Sequence, residues 1–331
     1  MNYLVTGAAG FVGSHLCDSL ARSGHNICAL DLGFSNEVKS IFSLTGNVDM
    51  VVGSVLDQSL LNKLIDRSDV VVHLAAIASP EYYVKEPKRT IDLNLNASIS
   101  IIEALRFTGK KIIYTSTSEI YGKNPNIPWK ELDDRVLGST DINRWCYSTS
   151  KSMIEHYLYA CHQEGSLDFS GVRIFNCYGP RLHGRVVDSF VNSAINKQKL
   201  LIHGDGSQTR CFTYIDDLIL ALSTLTTSKA TSNKFYNIGN NVETSIIQLA
   251  KLTCEILELD PIHFIEYLPH SKAIGTSYED IPRRVPDYSL ALAELNWSPK
   301  VQLKTGLQKM VDHQLAYQNH LNTSYFSEVD E

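Results

Sequence analysis

The chain has 331 residues, which is long enough for one large α/β domain or two unequal ones. Of these residues 44% are hydrophobic and 20% charged, an ordinary composition for a soluble globular enzyme. Its net charge of −6 argues against non-specific nucleic-acid binding, which needs a basic surface. No apolar run approaches a membrane span and no signal peptide fits the first residues, so we expect no membrane association.

The cysteines indicate a reducing compartment. There are 7 of them, an odd number, and no two form a Cys-x-x-Cys pair. A disulfide framework or a zinc site is therefore not expected. We predict a cytoplasmic protein without a bound metal.

The first part of the chain alternates short apolar runs with amphipathic stretches. The runs are typical of buried strands, and helical patterns lie between most of them. The predicted strands are Tyr3–Thr6, Asn26–Asp31, Met50–Val52, Val70–Leu74, Lys111–Thr115 and 168–175, and the predicted helices are 11–22, about 57–65, about 87–107 and 145–163. This alternation predicts an α/β fold with a doubly wound, Rossmann-type parallel sheet.

The later part of the chain is less regular. It has loop-like stretches at 176–188, 203–212 and 268–288, a strand at Phe235–Gly239, helices near 244–257 and 303–317, and a polar tail after about 318 that we expect to be frayed. We predict a dinucleotide-binding domain over residues 1–173, to which segments near 213–240 return. A smaller, mainly substrate-binding domain would cover residues 174–331.

A glycine-rich turn follows the first strand. Gly7, Gly10 and Gly13 form a Gly-x-x-Gly-x-x-Gly motif, in which glycines let the backbone approach a pyrophosphate at a helix N-terminus. The strand–turn–helix context makes this signal much stronger than the glycines alone. Asp31, at the end of the second strand, would bind both ribose hydroxyls and repel a 2′-phosphate, which favours NAD over NADP.

Other residues are expected near the cofactor. Asp57 either contacts the adenine ring or caps the next helix. The small residues that end the fourth strand suit backbone passing close to a cofactor, although they also suit ordinary packing, and we interpret His73 as a core or loop histidine. The predicted cofactor contacts are Gly7, Gly10, Phe11, Val12, Gly13, Asp31, Asp57, Leu74, Ala75 and Ala76, joined by Tyr147 and Lys151.

The fifth strand runs into YTSTSEIYG, residues 114–122. Strand ends at this edge of a parallel sheet face the ligand crevice. Thr117 and Ser118 could hydrogen-bond a sugar hydroxyl, and Glu119 adds a proton donor or acceptor. The plainer alternative is that the hydroxyls only finish the strand and Glu119 points to solvent.

Tyr147 and Lys151 stand four residues apart in RWCYSTSK, at the start of a predicted helix. Such residues share a helix face, and a lysine beside a phenol favours the phenolate, which would supply a base near neutral pH. By itself the spacing also fits an aromatic ring packed on a lysine stem.

These motifs, in this order, resemble the extended short-chain dehydrogenase/reductases that act on nucleotide sugars. The resemblance covers almost the whole chain, including GVRIFNCYGPRL (171–182), GDGSQTRCFTYIDDL (204–218), YNIGN (236–240) and EDIPRRVPD (279–287). It implies that Tyr147 is the base, that Lys151 holds the nicotinamide ribose and lowers the tyrosine pKa, and that Thr117 orients the substrate. It also implies a homodimer paired through the helices near 87–107 and 145–163.

Within that family, several features are similar to UDP-glucuronate decarboxylases. In ASPEYYVKEP (78–87), Tyr83 falls on the tyrosine of their Ala-Ser/Thr-Pro-x-x-Tyr-x-x-x-Pro segment, and TSE (117–119) matches their Thr-Ser-Glu. RWCYSTSK resembles the corresponding segment of a bifunctional lipid A-modifying enzyme, and Arg284 lies on an arginine used beside the sugar. Thr-Ser-Glu also occurs in GDP-mannose 4,6-dehydratases, and YSTSK departs from the Tyr-Asp-Glu-Gly-Lys of simple decarboxylases.

The resemblance implies a mechanism on a UDP-glucuronate-like substrate. Tyr147 would take the proton of the C4 hydroxyl while NAD oxidises C4, and the C4 ketone would serve as an electron sink for loss of carbon dioxide. Thr117 would stabilise the developing oxyanion, Glu119 or a water would handle protons at C5, and Arg284 would orient the sugar. A 4-epimerase or 4,6-dehydratase remains an alternative, as does a non-catalytic NAD-binding sensor.

The anionic diphosphate of a nucleotide sugar requires donors. Guanidinium groups match phosphate oxygens, and among the later arginines we expect Arg283 to be a spectator. Asn176 looks like the family's sugar or phosphate contact, although it also fits a turn. The predicted substrate contacts are Tyr83, Ser118, Asn176, Arg181, Arg210 and Arg284.

Overall fold

The computed structural model describes residues 1–228, 233–269 and 281–327. Its first part alternates strands with helices. These elements are β1 (Asn2–Thr6), α1 (Phe11–Arg22), β2 (Asn26–Asp31), α2 (Asn36–Thr45), β3 (Val48–Val52), α3 (Gln58–Asp66), β4 (Val70–His73), α4 (Pro80–Lys85), α5 (Pro87–Leu105), β5 (Lys111–Thr117), a 3₁₀ turn (Ser118–Tyr121), α6 (Trp145–Gln163) and β6 (Asp168–Ile174).

The later part has shorter strands. Its elements are β7 (Cys177–Tyr178), α7 (Val186–Ile195), β8 (Leu200–His203), β9 (Thr209–Cys211), β10 (Thr213–Tyr214), α8 (Ile215–Thr227), β11 (Lys234–Ile238), β12 (Glu243–Ser245), α9 (Ile246–Ile256), α10 (Pro261–Phe264), β13 (Ile265–Leu268), α11 (Ser289–Leu295) and α12 (Leu303–Ser327). Within the described ranges, no helix is long and apolar enough to cross a membrane.

In the described part of the chain, seven parallel strands form the central sheet, in the order β11-β6-β5-β4-β1-β2-β3. The chain moves outward from β1 in one direction through β2 and β3, and then in the other through β4, β5 and β6. The predicted doubly wound α/β fold is therefore confirmed. In such a sheet the ligand crevice lies beyond the carboxyl ends of the strands, where the order reverses between β1 and β4.

Both faces of the sheet are covered. Apolar side chains of α3, α5 and α6 form a core on one face, and those of α1, α2 and α8 begin a larger core on the other, which continues into α7, α9, α11 and α12. The later part also contributes β11, which pairs in parallel with β6. The second half of the chain is thus packed directly onto the sheet.

Several predicted boundaries differ from the structure. β4 ends at His73 rather than Leu74, and α2 and α4 were not predicted because short helices carry little periodic signal. The tail predicted to fray after about 318 continues α12 to Ser327, because a helix nucleated by a buried face extends easily through polar residues. Part of the predicted loop 268–288 lies outside the described residues.

Candidate active site

The glycine turn joins β1, β4 and α1 at close range. Gly7 has φ +70°, and a Cβ there would lie 2.7 Å from the backbone nitrogen of Ala75. A Cβ on Gly13 would lie 2.1 Å from the carbonyl oxygen of Gly7. Gly10, the N-cap of α1, has no side chain to cap the first helical amides, which are therefore open to an anion.

This cradle fits a dinucleotide. Side chains at Gly7 or Gly13 would fill it, and the Asp31 carboxylate lies at its edge, where Oδ2 accepts a hydrogen bond from the amide of Ala9 at 2.9 Å. The partly buried residues Phe11, Val12, Leu74, Ala75 and Ala76 flank the same turn. Nothing in this arrangement conflicts with NAD at the start of α1.

Asp57 has the contact of a helix cap. Its Oδ1 accepts a hydrogen bond from the amide of Leu60 at 3.1 Å, at the N-terminus of α3. Of the two roles that the sequence leaves open, capping is the one this contact supports. A contact with adenine stays a prediction.

His73 lies in the core behind the turn. Its ring nitrogens are 2.8 Å from Thr6 Oγ1 and 3.0 Å from Ser98 Oγ. Burial, with a contribution from the charge of Lys151, lowers the pKa of His73 to about 3, so the ring is neutral. Because the Thr6 hydroxyl also receives the Ala75 amide at 3.4 Å, His73 supports the backbone that passes Gly7.

Tyr147 is buried in the first turns of α6. Its ring stacks on that of Tyr83, with centroids 5.2 Å apart and planes 8° from parallel. Burial, with a smaller contribution from the charge of Glu119, raises the pKa of Tyr147 to about 12, although Arg185 and a hydrogen bond with Thr117 oppose the rise. The low phenol pKa implied by the resemblance is therefore not seen in this arrangement, since burial outweighs the nearby cations.

Lys151 lies one turn further along α6, also buried. Its Nζ donates to the carbonyl oxygen of Thr115 at 2.8 Å and lies 4.7 Å from the ring centroid of Tyr114. Burial lowers the pKa of Lys151 to about 7, although the Glu155 carboxylate favours the ammonium. The lysine is thus held against the end of β5, within the cluster that contains Tyr147.

Glu119 does not point to solvent. It is buried in the 3₁₀ turn after β5, where Oε1 lies 2.8 Å from Arg284 Nη1 and Oε2 lies 3.1 Å from Arg144 Nη2. Burial by itself raises the pKa of Glu119, but the charges of Arg284, Arg144 and Arg185 hold it below its ordinary value. Glu119 is therefore an ionised carboxylate shared between arginines.

Two arginines near this cluster were not predicted from the sequence. Arg144 directly precedes α6 and is fully buried. Arg185 precedes α7 and donates from Nη2 to the carbonyl oxygen of Ala78 at 2.8 Å, and its charge acts on both Tyr147 and Glu119. Arg144 could have been identified as a site residue from its position in RWCYSTSK, whereas no local sequence pattern distinguishes Arg185.

The remaining predicted substrate contacts are spread over several elements. Arg210, in β9, donates from Nη1 to the carbonyl oxygens of Thr209 at 2.8 Å and Pro282 at 3.4 Å. Asn176 has φ +35°, and its Nδ2 lies 3.4 Å from the carbonyl oxygen of Cys211. Ser118 is buried at the start of the 3₁₀ turn.

Arg181 is not brought to the Glu119 cluster. Its backbone has φ +66°, and its Nε lies 3.2 Å from Nε2 of His15 in α1. The side chain therefore lies against the first helix. Arg283, the expected spectator, has a side chain that is 58% exposed and forms a two-pronged ion pair with Glu243, with Nε–Oε2 at 2.9 Å and Nη2–Oε1 at 2.5 Å. That it takes no part in substrate binding stays a prediction.

The site thus combines residues from distant parts of the chain. Thr117 and Glu119 come from the end of β5, Tyr147 and Lys151 from α6, and Arg284 from the segment after β13. Tyr83, at α4, stacks on the catalytic candidate Tyr147. A buried phenol, hydroxyl, carboxylate and guanidinium in one group can transfer protons and stabilise an oxyanion.

Comparison with known proteins gives consistent matches. UDP-N-acetyl-alpha-D-glucosaminuronate decarboxylase from Bacillus cytotoxicus is 34% identical over 312 residues, covering 93% of this chain and 96% of the relative. UDP-glucuronic acid decarboxylase 1 from Arabidopsis thaliana is 34% identical over 318 residues, covering 94% of this chain and 69% of the relative.

A solved structure agrees with these relatives. UDP-glucuronic acid 4-epimerase from Bacillus cereus, in complex with UDP-glucuronic acid and NAD, is similar with a TM-score of 0.83 and 27% identity, over 95% of this chain and 98% of the other. A profile described as the NAD dependent epimerase/dehydratase family matches residues 3–239. These matches confirm the resemblance read from the motifs, and with it NAD as the cofactor. This chain belongs to the NAD dependent epimerase/dehydratase family.

Proposed function

We propose that this enzyme oxidises a UDP-linked uronic acid at C4 and then releases carbon dioxide. The product is a UDP-pentose where the C4 ketone is reduced again, and a UDP-4-ketopentose where it is not. The observation that carries the proposal is the buried group of Thr117, Glu119, Tyr147 and Arg284. Oxidation at C4 requires a base such as Tyr147, but it does not require the ion pair of Glu119 and Arg284. We assign that pair to the decarboxylation step. The two decarboxylases at 34% identity support this reading.

The residues proposed to hold the cofactor are those of the cradle: Gly7, Gly10, Gly13, Asp31 and, from α6, Lys151. NAD, when bound, would supply the oxidising power for C4. Tyr147 would remove the proton of the C4 hydroxyl. Because burial raises the pKa of Tyr147 to about 12, proton removal requires stabilisation from the cations beside it, of which Arg185 already acts on the ring.

Decarboxylation then follows from the position of the ketone. A C4 ketone is β to the C6 carboxylate, so the electron pair of the breaking C5–C6 bond can move onto the C4 oxygen. Thr117 and Arg284 would stabilise the resulting enolate, because donors aimed at developing charge stabilise it most in a dry site. A proton returned to C5 completes the loss of carbon dioxide.

Diphosphate recognition is proposed for Arg210 and Asn176, which lie on the side from which Arg284 arrives. The proposed division into a dinucleotide-binding domain (1–173, with 213–240) and a mainly substrate-binding domain (174–331) is supported by the pairing of β11 with β6. We also propose a cytoplasmic homodimer. All seven cysteines are free thiols, which suits a reducing compartment.

The test is an anaerobic incubation with NAD and either UDP-glucuronate or UDP-N-acetylglucosaminuronate, followed by mass spectrometry and proton NMR of the sugar. We expect loss of carbon dioxide, and the C4 signal will show whether the ketone is reduced again. The matched control is Tyr147→Phe, which keeps the ring that stacks on Tyr83 and removes only the hydroxyl.

The alternatives give different products. An isomer of unchanged mass would establish a 4-epimerase, as in the similar Bacillus cereus enzyme, and loss of water would establish a dehydratase. Thermal stabilisation by NAD without turnover of any nucleotide sugar would indicate a sensor. Any of these outcomes would contradict the decarboxylase proposal.

A further inference from the structure

Arg144 and Arg284 divide one carboxylate between them. Arg144 Nη2 lies 3.1 Å from Oε2 of Glu119, and Arg284 Nη1 lies 2.8 Å from Oε1. The two arginines are 140 positions apart in the chain (284 − 144), and each takes a different oxygen. Glu119 therefore links the beginning of α6 to the segment that carries Arg284.

The guanidinium of Arg144 is buried, and burying a charged group is unfavourable for a residue whose role is packing alone. Its side chain has 0% exposure, and its guanidinium carbon lies 5.3 Å from the ring centroid of Trp145. Removing a guanidinium from water costs several kcal/mol, and well-packed apolar residues of similar volume are often as stable as a buried ion pair or more stable. The buried charge of Arg144 is therefore better explained by the position in which it holds the Glu119 carboxylate.

That geometry bears directly on the proposed catalytic group. Arg144 precedes Tyr147 by three residues at the start of α6, and Glu119 follows Thr117 by two residues at the end of β5. The ion pair between Arg144 and Glu119 consequently joins the helix that positions the phenol to the turn that positions the hydroxyl. Displacement of either element by about 1 Å would change how the phenol of Tyr147 is placed relative to the hydroxyl of Thr117.

We propose that Arg144 is a positioning residue of the reaction, which orients the Glu119 carboxylate so that Arg284 faces Tyr147 and the sugar. Arg144 acts through Glu119 and is not itself a catalytic residue. Its kinetic effect rests on the proposed function, whereas its hold on Glu119 does not. The proposed role of Arg144 is therefore different from the roles of Tyr147 and Lys151 in the same motif.

The pKa of Glu119 depends on the charged groups around it, and removal of Arg144 would change that pKa. Arg284 faces the carboxylate from the segment after β13, Arg144 from the start of α6, and Arg185 from the start of α7, while Tyr147 is the nearby acid. Because Arg144 is one of the charges that lower the pKa of Glu119, its loss lets the carboxyl take up a proton at higher pH. The acidic limb of the pH–activity profile should move in the same direction.

The kinetic test compares Arg144→Met, Arg144→Lys and Glu119→Gln, with Arg22→Met as the control, since Arg22 is 65% exposed and pairs with Asp18 along α1. We expect Arg144→Met to lower kcat about 10- to 100-fold, with its acidic limb at higher pH, and Arg144→Lys to recover part of both. In a Glu119→Gln background, Arg144→Met should have little further effect, because the partner is already gone.

The second test needs no turnover and so separates failure of this proposal from failure of the proposed function. A carboxylate with a lowered pKa stabilises the fold above its unfolded pKa, and this stability is lost as pH falls. We therefore expect the Tm deficit of Arg144→Met to be largest near neutral pH and to narrow on acidification toward pH 4. A deficit independent of pH, with an unmoved acidic limb in active enzyme, would overturn the positioning role and leave Arg144 a packing residue.

Discussion

At the scale of single residues, the site is organised by burial more than by pairing. Tyr147 and Lys151 are proposed to act as a catalytic dyad, yet burial moves the pKa of the phenol up to about 12 and that of the ammonium down to about 7. Both shifts favour the neutral forms, because a low-dielectric interior disfavours charge of either sign. Function at this dyad therefore comes at a cost in stability.

This cost can be measured by replacing Lys151 with Met. The variant should lose activity by about 10²- to 10⁴-fold, and its fold should gain about 1–4 kcal/mol, because the buried amine is replaced by an apolar side chain. The lysine pKa is lower in the folded than in the unfolded state, so the penalty on the wild type is full at and below about pH 7 and fades as pH rises toward the unfolded pKa. Thermal unfolding from pH 6 to 10 should show the gain of the variant shrinking with pH.

A matched control is available on β5. Lys111 is half-buried, and its Nζ donates to the carbonyl oxygens of Leu225 at 3.0 Å and Ser228 at 2.9 Å, away from the site. Lys111→Met should keep its activity, because Lys111 lies away from the site. A Lys151→Met variant that is destabilised at every pH would contradict the expectation.

At the scale of elements, α6 connects the site to a buried polar network. Beyond Lys151, its Glu155 accepts from Ser116 Oγ at 2.5 Å and pairs with Arg173 of β6 at 2.6 Å. The same arginine donates to the hydroxyl of Tyr121 at 2.7 Å. These bonds hold α6 against β5 and β6, and so they support the helix that carries Tyr147 and Lys151.

The turn between β1 and α1 allows a test at this scale. Gly13→Ala would place a Cβ 2.1 Å from the Gly7 carbonyl oxygen and 2.8 Å from the Cα of Ala8, so backbone must move. We expect a loss of about 1–3 kcal/mol in stability and about tenfold or greater weakening of NAD binding, measured by calorimetry. Gly33→Ala is the control, since a Cβ there meets nothing within 4 Å. Equal NAD affinity in the two variants would show that a side chain at Gly13 does not disturb the cofactor-binding turn.

At the scale of the whole molecule, the outer surface of α5 and α6 suits the proposed dimer. The two helices pack side by side, and Ile91 and Met153 on them are 37% and 52% exposed. Paired in a second copy, these helices would form a four-helix bundle that covers the apolar side chains. Apolar residues in such a face stabilise association through their burial.

Sedimentation at micromolar concentration tests this arrangement. The wild type should sediment as a dimer, and Met153→Glu should shift it toward monomer, because a carboxylate would have to be buried in the bundle. Leu220→Glu, at a 53% exposed leucine of α8, is the control and should remain dimeric. A monomeric wild type would rule out the proposed dimer.

Much of the fold was readable from local patterns. Each strand of the sheet from β1 to β6 was predicted within a few residues, because alternating apolar runs and amphipathic stretches report the local period. The glycine turn and the Tyr147–Lys151 spacing also identified the family. The short helices α2 and α4 were missed, since a few turns of helix contain too few residues to establish a period.

The sequence by itself determined the α/β architecture and the glycine turn of an NAD-binding family, because these depend on neighbours along the chain. Only the tertiary structure decided that Glu119 is buried between Arg144 and Arg284, 165 residues from the latter, and that Arg181 turns toward α1. It also reversed the expected pKa shift of Tyr147. Burial and charge at a site are sums over residues distant in the chain, and no local pattern contains that sum.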